Sequence, residues 1–131
     1  NIISSDYNTF EGKNALIVDD SKLNLKVAEN VLKNFLVTTE SVTSGLECLS
    51  CVNSKKYDII FMDIMMPNMS GEEVLRKLRE NGVNTPVIAL TADAIEGQEE
   101  KYMSEGFDGY ISKPINKEKL SYVLNKYLGG K

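Results

Sequence analysis

Residues 15–35 read ALIVDDSKLNLKVAENVLKNF, and they hold the unit from which the rest of the chain is built. Ala15-Leu16-Ile17-Val18 is an apolar run without polar alternation, the pattern of a strand buried on both faces. It stops at two acids, Asp19 and Asp20. Ser21 then supplies a helix cap, and over residues 22–35 Ala28, Val31, Leu32 and Phe35 recur at helical spacing. A buried strand ending in acids and followed by a one-sided helix is half of a β–α–β crossover.

Further along the chain the same unit returns. Val37–Val42 is a weaker strand whose Thr38, Thr39 and Glu40 suit a sheet edge, and residues 45–54 are helical. Ile59-Ile60-Phe61-Met62 is a third apolar run, again ending in an acid, Asp63. Pro67 and Gly71 frame a loop before a helix over Glu72–Asn81, closed by Gly82. Val87–Leu90 ends at Thr91-Ala92, and residues 94–105 are helical up to Gly106. Tyr110-Ile111 leads into Ser112-Lys113-Pro114, and the last helix covers 117–128. Five strands alternating with five helices predict an α/β, flavodoxin-like, doubly wound parallel sheet of order 2-1-3-4-5 with helices on both faces. Residues 1–12, NIISSDYNTFEG, read as a linker or arm, 13–128 as the single domain and 129–131 as a tail. The chain starts at Asn1 rather than Met and is expected to be part of a longer protein.

The composition excludes much. Among 131 residues there is no histidine, which removes Ser-His-Asp and Cys-His catalysis, histidine-ligated zinc and imidazole proton shuttling. A net charge of -4, from 15 basic and 19 acidic residues, argues against nonspecific nucleic-acid binding. No apolar run reaches the roughly 18–20 residues of a membrane span, and no signal peptide is visible; the expected location is cytoplasmic. Cys48 and Cys51 form a C-x-x-C, but zinc would need two more ligands of a kind the chain lacks. Mid-helix on an apolar stripe, the two cysteines read as packing residues.

In such a sheet, ligands bind beyond the carboxyl ends of the strands, where the strand order reverses. Those ends carry Asp19, Asp20, Asp63, Thr91 and Lys113. Taken singly, each has an ordinary reading: acids after strands cap helices, a threonine fills a turn, a lysine is solvated. Together they make a different object. Three carboxylates and one ammonium leave a formal charge of -2, which one divalent cation cancels. All-oxygen ligation suits a hard ion, Mg²⁺ or Mn²⁺. The neutralised site can then accept an anion, with Thr91 donating a hydrogen bond and Lys113 forming an ion pair, a constellation fit for phosphoryl transfer. A Mg²⁺-dependent phosphatase with Asp63 as nucleophile and a flavin carrier of the same topology are the competing readings. Met65 stands where such phosphatases carry a second acid, and Asp19-Asp20 would repel a flavin phosphate.

From about Lys13 to Leu128 the sequence resembles the receiver domain of two-component response regulators, through LIVDDSKLN, YDIIFMDIMMPNMSG, PVIALTADA and FDGYISKPI. It is most similar to the C-terminal receivers of hybrid sensor histidine kinases. The resemblance implies that Asp63 is the phosphoacceptor, taking a phosphoryl group from a phosphohistidine on a histidine kinase or histidine phosphotransfer domain. It implies that Asp20 binds Mg²⁺ directly, that Asp19 holds it through water, and that the Met65 backbone carbonyl completes the metal shell. Thr91 is the implied switch hydroxyl and Tyr110 the switch aromatic. Ala92 and Asp93 flank the phosphoryl access, and Lys113 pairs with the phosphoryl group. The Lys113-Pro114 peptide is expected to be cis. Activity is expected to be limited to self-phosphorylation and autodephosphorylation. A receiver that lost its phosphorylation and serves only for docking is a further alternative. Ile95, Tyr102, Tyr110 and Lys119 fall on the implied switching face, and a monomer or weak dimer is expected. Replacing Lys113 by alanine is expected to leave folding nearly intact.

Overall fold

The computed structural model describes residues 8–92 and 98–129. The elements alternate as read: β1 (Asn14–Val18), α1 (Lys22–Lys33), β2 (Thr38–Val42), α2 (Gly45–Ser54) and β3 (Ile59–Asp63), then α3 (Gly71–Glu80), β4 (Val87–Thr91), α4 (Gln98–Ser104), β5 (Gly109–Ser112) and α5 (Lys117–Leu128). All strands pair in parallel in the order β2-β1-β3-β4-β5. Of the helix expected over 94–105, the first residues lie outside the described ones.

The two-residue alternation of strands sorts their side chains into two cores. Ala15, Ile17, Ile59, Phe61, Ile88 and Leu90 face α1 and α5, meeting Leu25, Ala28, Leu32, Leu120 and Leu124. Leu16, Val18, Ile60, Met62, Val87 and Ala89 face α2, α3 and α4, meeting Cys48, Val74, Leu75, Leu78 and Tyr102. Burial on both faces is why the inner strands read as unbroken apolar runs. β2 pairs on one side only and stays part-exposed, in keeping with its polar residues. Phe10 is buried beside Phe35, whose carbonyl accepts its N–H at 2.8 Å.

Side-chain caps set the helix starts. Ser21, Ser44, Ser70 and Asn116 each accept from the backbone N–H three residues on. Leu36, after α1, sits at φ 61 with 47% of its surface exposed. A left-handed backbone is costly for leucine, while asparagine tolerates it. Leu36→Asn is therefore expected to stabilise the chain by about 0.5–1 kcal/mol, read as a raised denaturation midpoint; a lowered midpoint would show that leucine's remaining contacts matter more.

Candidate functional site

Strand register brings the predicted site residues to one edge. Val18 lies beside Met62, Asp63 beside Leu90, and Thr91 beside Ser112. Asp19 and Asp20 therefore leave β1 next to Asp63 at the end of β3, and Lys113 follows β5 next to Thr91. Ligand oxygens of Asp19, Asp20 and Asp63 lie within 4.8 Å of one another. Asp19 is 1% and Asp63 4% exposed, whereas Asp20 is open to solvent.

Lys113 Nζ sits between the two buried acids, 3.1 Å from Asp19 Oδ2 and 3.2 Å from Asp63 Oδ1. Asp19 Oδ1 accepts the Ser21 N–H at 2.9 Å, and Asp63 Oδ1 accepts the Met65 N–H at 3.3 Å. Asp19 Oδ2 pairs with Lys113 by charge but, among the described residues, has no hydrogen bond of acceptable alignment. Burial, and then the Asp19 charge, push the Asp63 carboxyl up to about 6, against the opposing pull of Lys113 and the Met65 N–H. Burial works against the Lys113 ammonium, but Asp19 and Asp63 outweigh it and hold it above the usual lysine range.

These features fit a hard divalent cation. A buried carboxylate oxygen without a hydrogen bond, two further carboxylates within ligand reach and a net formal charge of -2 are all relieved by one such ion. The Met65 side chain is 77% exposed, so that residue's link to the site is its backbone. Ala92 is exposed beside Thr91. Asp93 and Ile95 lie outside the described residues. The Lys113-Pro114 peptide is cis, as the resemblance implied.

Lys113 is not a solvated surface lysine, since it is the counter-ion of two buried acids. Lys119, read only as part of an outer face, donates to the Ser112 carbonyl at 2.9 Å and its hydroxyl at 3.0 Å, and so braces the strand end that presents Lys113. Tyr102, also expected on that face, has its hydroxyl 3.1 Å from Thr91 Oγ1. Tyr110 is half-buried, its ring 6.2 Å from that of Tyr102. Gly71 packs so tightly under the site that a Cβ there would lie 2.5 Å from the Asp63 carbonyl oxygen. Both cysteines are free thiols; Cys48 is buried, and burial, with Cys51 adding to it, pushes its thiol up to about 12, which keeps it inert.

Residues 15–125 match the response regulator receiver domain family. The chain is 37% identical over 141 residues to the probable histidine kinase 4 of Oryza sativa subsp. japonica, covering 90% of this chain but only 14% of the kinase. It is 37% identical to the polar-differentiation response regulator DivK of Brucella ovis, covering 89% of this chain and 97% of DivK. The crystal structure of the receiver domain of sensor histidine kinase PA1611 from Pseudomonas aeruginosa PAO1, with a magnesium ion in its active-site cleft, superposes with a TM-score of 0.80 at 31% identity, over 91% of this chain and 99% of that one. The chain belongs to the response regulator receiver domains of two-component signalling systems. Receiver domains of this kind receive phosphoryl groups from histidine kinase or phosphotransfer partners. Among the described residues, no helix is long and apolar enough to cross a membrane.

Proposed function

We propose that Asp63 is the phosphoacceptor of this receiver, with Asp19, Asp20, Asp63 and the Met65 carbonyl holding Mg²⁺ or Mn²⁺. The observation that carries the reading is the buried Asp63 carboxylate, flanked by Asp19 and ion-paired to Lys113 at 3.2 Å. When bound, the cation neutralises the carboxylates and the incoming phosphoryl oxygens. An Asp63 oxygen attacks the phosphorus of a phosphohistidine. The P–N bond breaks, the imidazole leaves and takes a proton, and an acyl phosphate forms. Lys113 ion-pairs with a phosphoryl oxygen, and Thr91 turns its hydroxyl to donate to another, with Tyr110 following inward. Ala92 leaves room for these oxygens, and the family resemblance assigns Asp93 a part in phosphoryl access. Residues 13–128 form the receiver unit, preceded by a linker or arm of 1–12 and followed by a tail of 129–131. The setting is cytoplasmic, in a longer histidine-kinase chain or a free-standing regulator, as a monomer or weak dimer.

Incubation with Mg²⁺ and acetyl phosphate, read by intact mass, tests this. One phosphoryl group is expected, absent in Asp63→Asn and after chelation. No uptake from acetyl phosphate or a phosphohistidine protein would leave a docking receiver instead; steady phosphate release from unrelated monoesters would favour the phosphatase.

A further inference from the structure

Thr91 and Asp63 start from opposite faces of the sheet. Thr91 follows Val87 and Ala89 along β4, both on the α2–α4 face. Asp63 follows Ile59 and Phe61 along β3, both on the α1–α5 face. To donate to a phosphoryl group on Asp63, the Thr91 side chain must swing over the strand end. In the present conformation its Oγ1 instead shares a 3.1 Å hydrogen bond with the Tyr102 hydroxyl, and the two residues are 4% and 5% exposed. Tyr102 cannot follow such a swing. Its ring is held edge-on by Phe107, centroids 6.2 Å apart at 90°, and by Tyr110, 6.2 Å apart at a 40° tilt. The bond must therefore break when Thr91 leaves, whichever hydroxyl donates, and a phenol is left in a place closed to water.

We infer that the Tyr102 hydroxyl is a latch that holds Thr91 in the resting position and sets the threshold for the phosphorylated state. Tyr102 is a positioning residue, acting on the phosphoryl group only through Thr91. Its hydroxyl ties α4 directly to the switch hydroxyl, while its ring leans on Tyr110, so release of Thr91 is felt at both α4 and β5. This inference rests on the phosphoacceptor reading of Asp63 and adds the group that opposes it.

The test is beryllofluoride, a phosphoryl mimic for carboxylates, titrated with Mg²⁺ into the 131-residue chain and followed by ¹⁹F NMR. Tyr102→Phe keeps the ring and removes the bond. It is expected to bind beryllofluoride roughly three- to tenfold more tightly, the range of one net hydrogen bond. Thr91→Val is expected to bind more weakly and to abolish the gain from Tyr102→Phe in the double variant, which a merely structural role for Tyr102 would not do. In the unaltered chain, the Tyr102 Cζ resonance should shift as beryllofluoride saturates, a readout that does not depend on any variant folding. Unchanged or weaker binding by Tyr102→Phe, a gain that persists without the Thr91 hydroxyl, or a static Cζ resonance would each overturn the latch. Uptake by the unaltered chain together with any of these would leave Asp63 as acceptor; absence of uptake would remove the acceptor reading and the latch with it.

Discussion

Lys113→Ala is expected to destabilise the metal-free chain by about 2–3 kcal/mol at neutral pH, because it strands two carboxylates that folding has taken out of water. The sequence, seen alone, suggests the opposite, since a lysine after a strand is usually solvated and cheap to remove. The geometry decides the matter: Nζ lies 3.1 Å from Asp19 Oδ2 and 3.2 Å from Asp63 Oδ1, and both acids are nearly closed to solvent. The pH dependence follows from the direction of the Asp63 shift. Its carboxyl is already pushed up to about 6 in the fold, with Lys113 opposing the rise. Removing Lys113 raises it further. An acid whose folded pKa is raised costs stability above its unfolded pKa and costs nothing once protonated in both states. The deficit of Lys113→Ala should therefore be full near pH 7 and fade as the pH falls toward 4. Mg²⁺ should restore most of it by supplying the missing positive charge, and a second substitution, Asp63→Asn, should reduce it. Urea melts at pH 7 and pH 4.5, with and without Mg²⁺, read all of this. A loss equal at both pH values and indifferent to Mg²⁺ would mean that lysine acts there through packing alone.

The contrast between Lys113 and the strands shows what a single sequence displays. Ala15–Val18, Ile59–Met62 and Val87–Leu90 declare themselves because burial on both faces demands an unbroken apolar run, a local property. Once the runs are recognised, the parallel order follows from connectivity, and the acids at their ends fall together. Their convergence is therefore legible in the sequence. The depth of each side chain is not. Asp19 and Asp20 are neighbours of the same type, yet one is buried against Lys113 and the other is open to water. That difference comes from which way the chain leaves β1, which the Ser21 N–H helps set by binding Asp19 Oδ1. The Thr91–Tyr102 bond was hidden for a similar reason. The family resemblance puts Tyr102 on the outer switching face, and nothing in its position along α4 says that its hydroxyl meets the end of β4. Hydrophobic pattern fixes which face a residue takes, while polar pairing across elements depends on a few ångströms of placement that no periodicity encodes.

Gly71 is the other position where a small change should have a large effect. It opens α3, directly beneath the turn that carries Asp63 out of β3, and its N–H donates to the Ile64 carbonyl at 3.1 Å. An added Cβ would lie 2.5 Å from the Asp63 carbonyl oxygen and 3.0 Å from Ile64 Cα. Both obstructions are backbone, so no side-chain rotation relieves them, and either α3 or the end of β3 must move. Gly71→Ala is expected to cost about 2–4 kcal/mol, at or beyond the upper range for overpacking. Because the displaced atoms belong to Asp63 and its neighbour, phosphoryl uptake from acetyl phosphate should also slow by about tenfold or more, since small misplacement of a reacting group is costly. Gly82→Ala is the control. Gly82 sits at φ +83 with nothing within 4 Å of its would-be Cβ, so alanine there meets backbone strain alone, about 1 kcal/mol. That substitution, at the far end of α3, should leave uptake unchanged. Guanidinium melts and initial phosphorylation rates of the two variants separate the effects. Equal stability losses, or a Gly71→Ala chain that takes up phosphate at the unaltered rate, would show that the turn yields without moving Asp63.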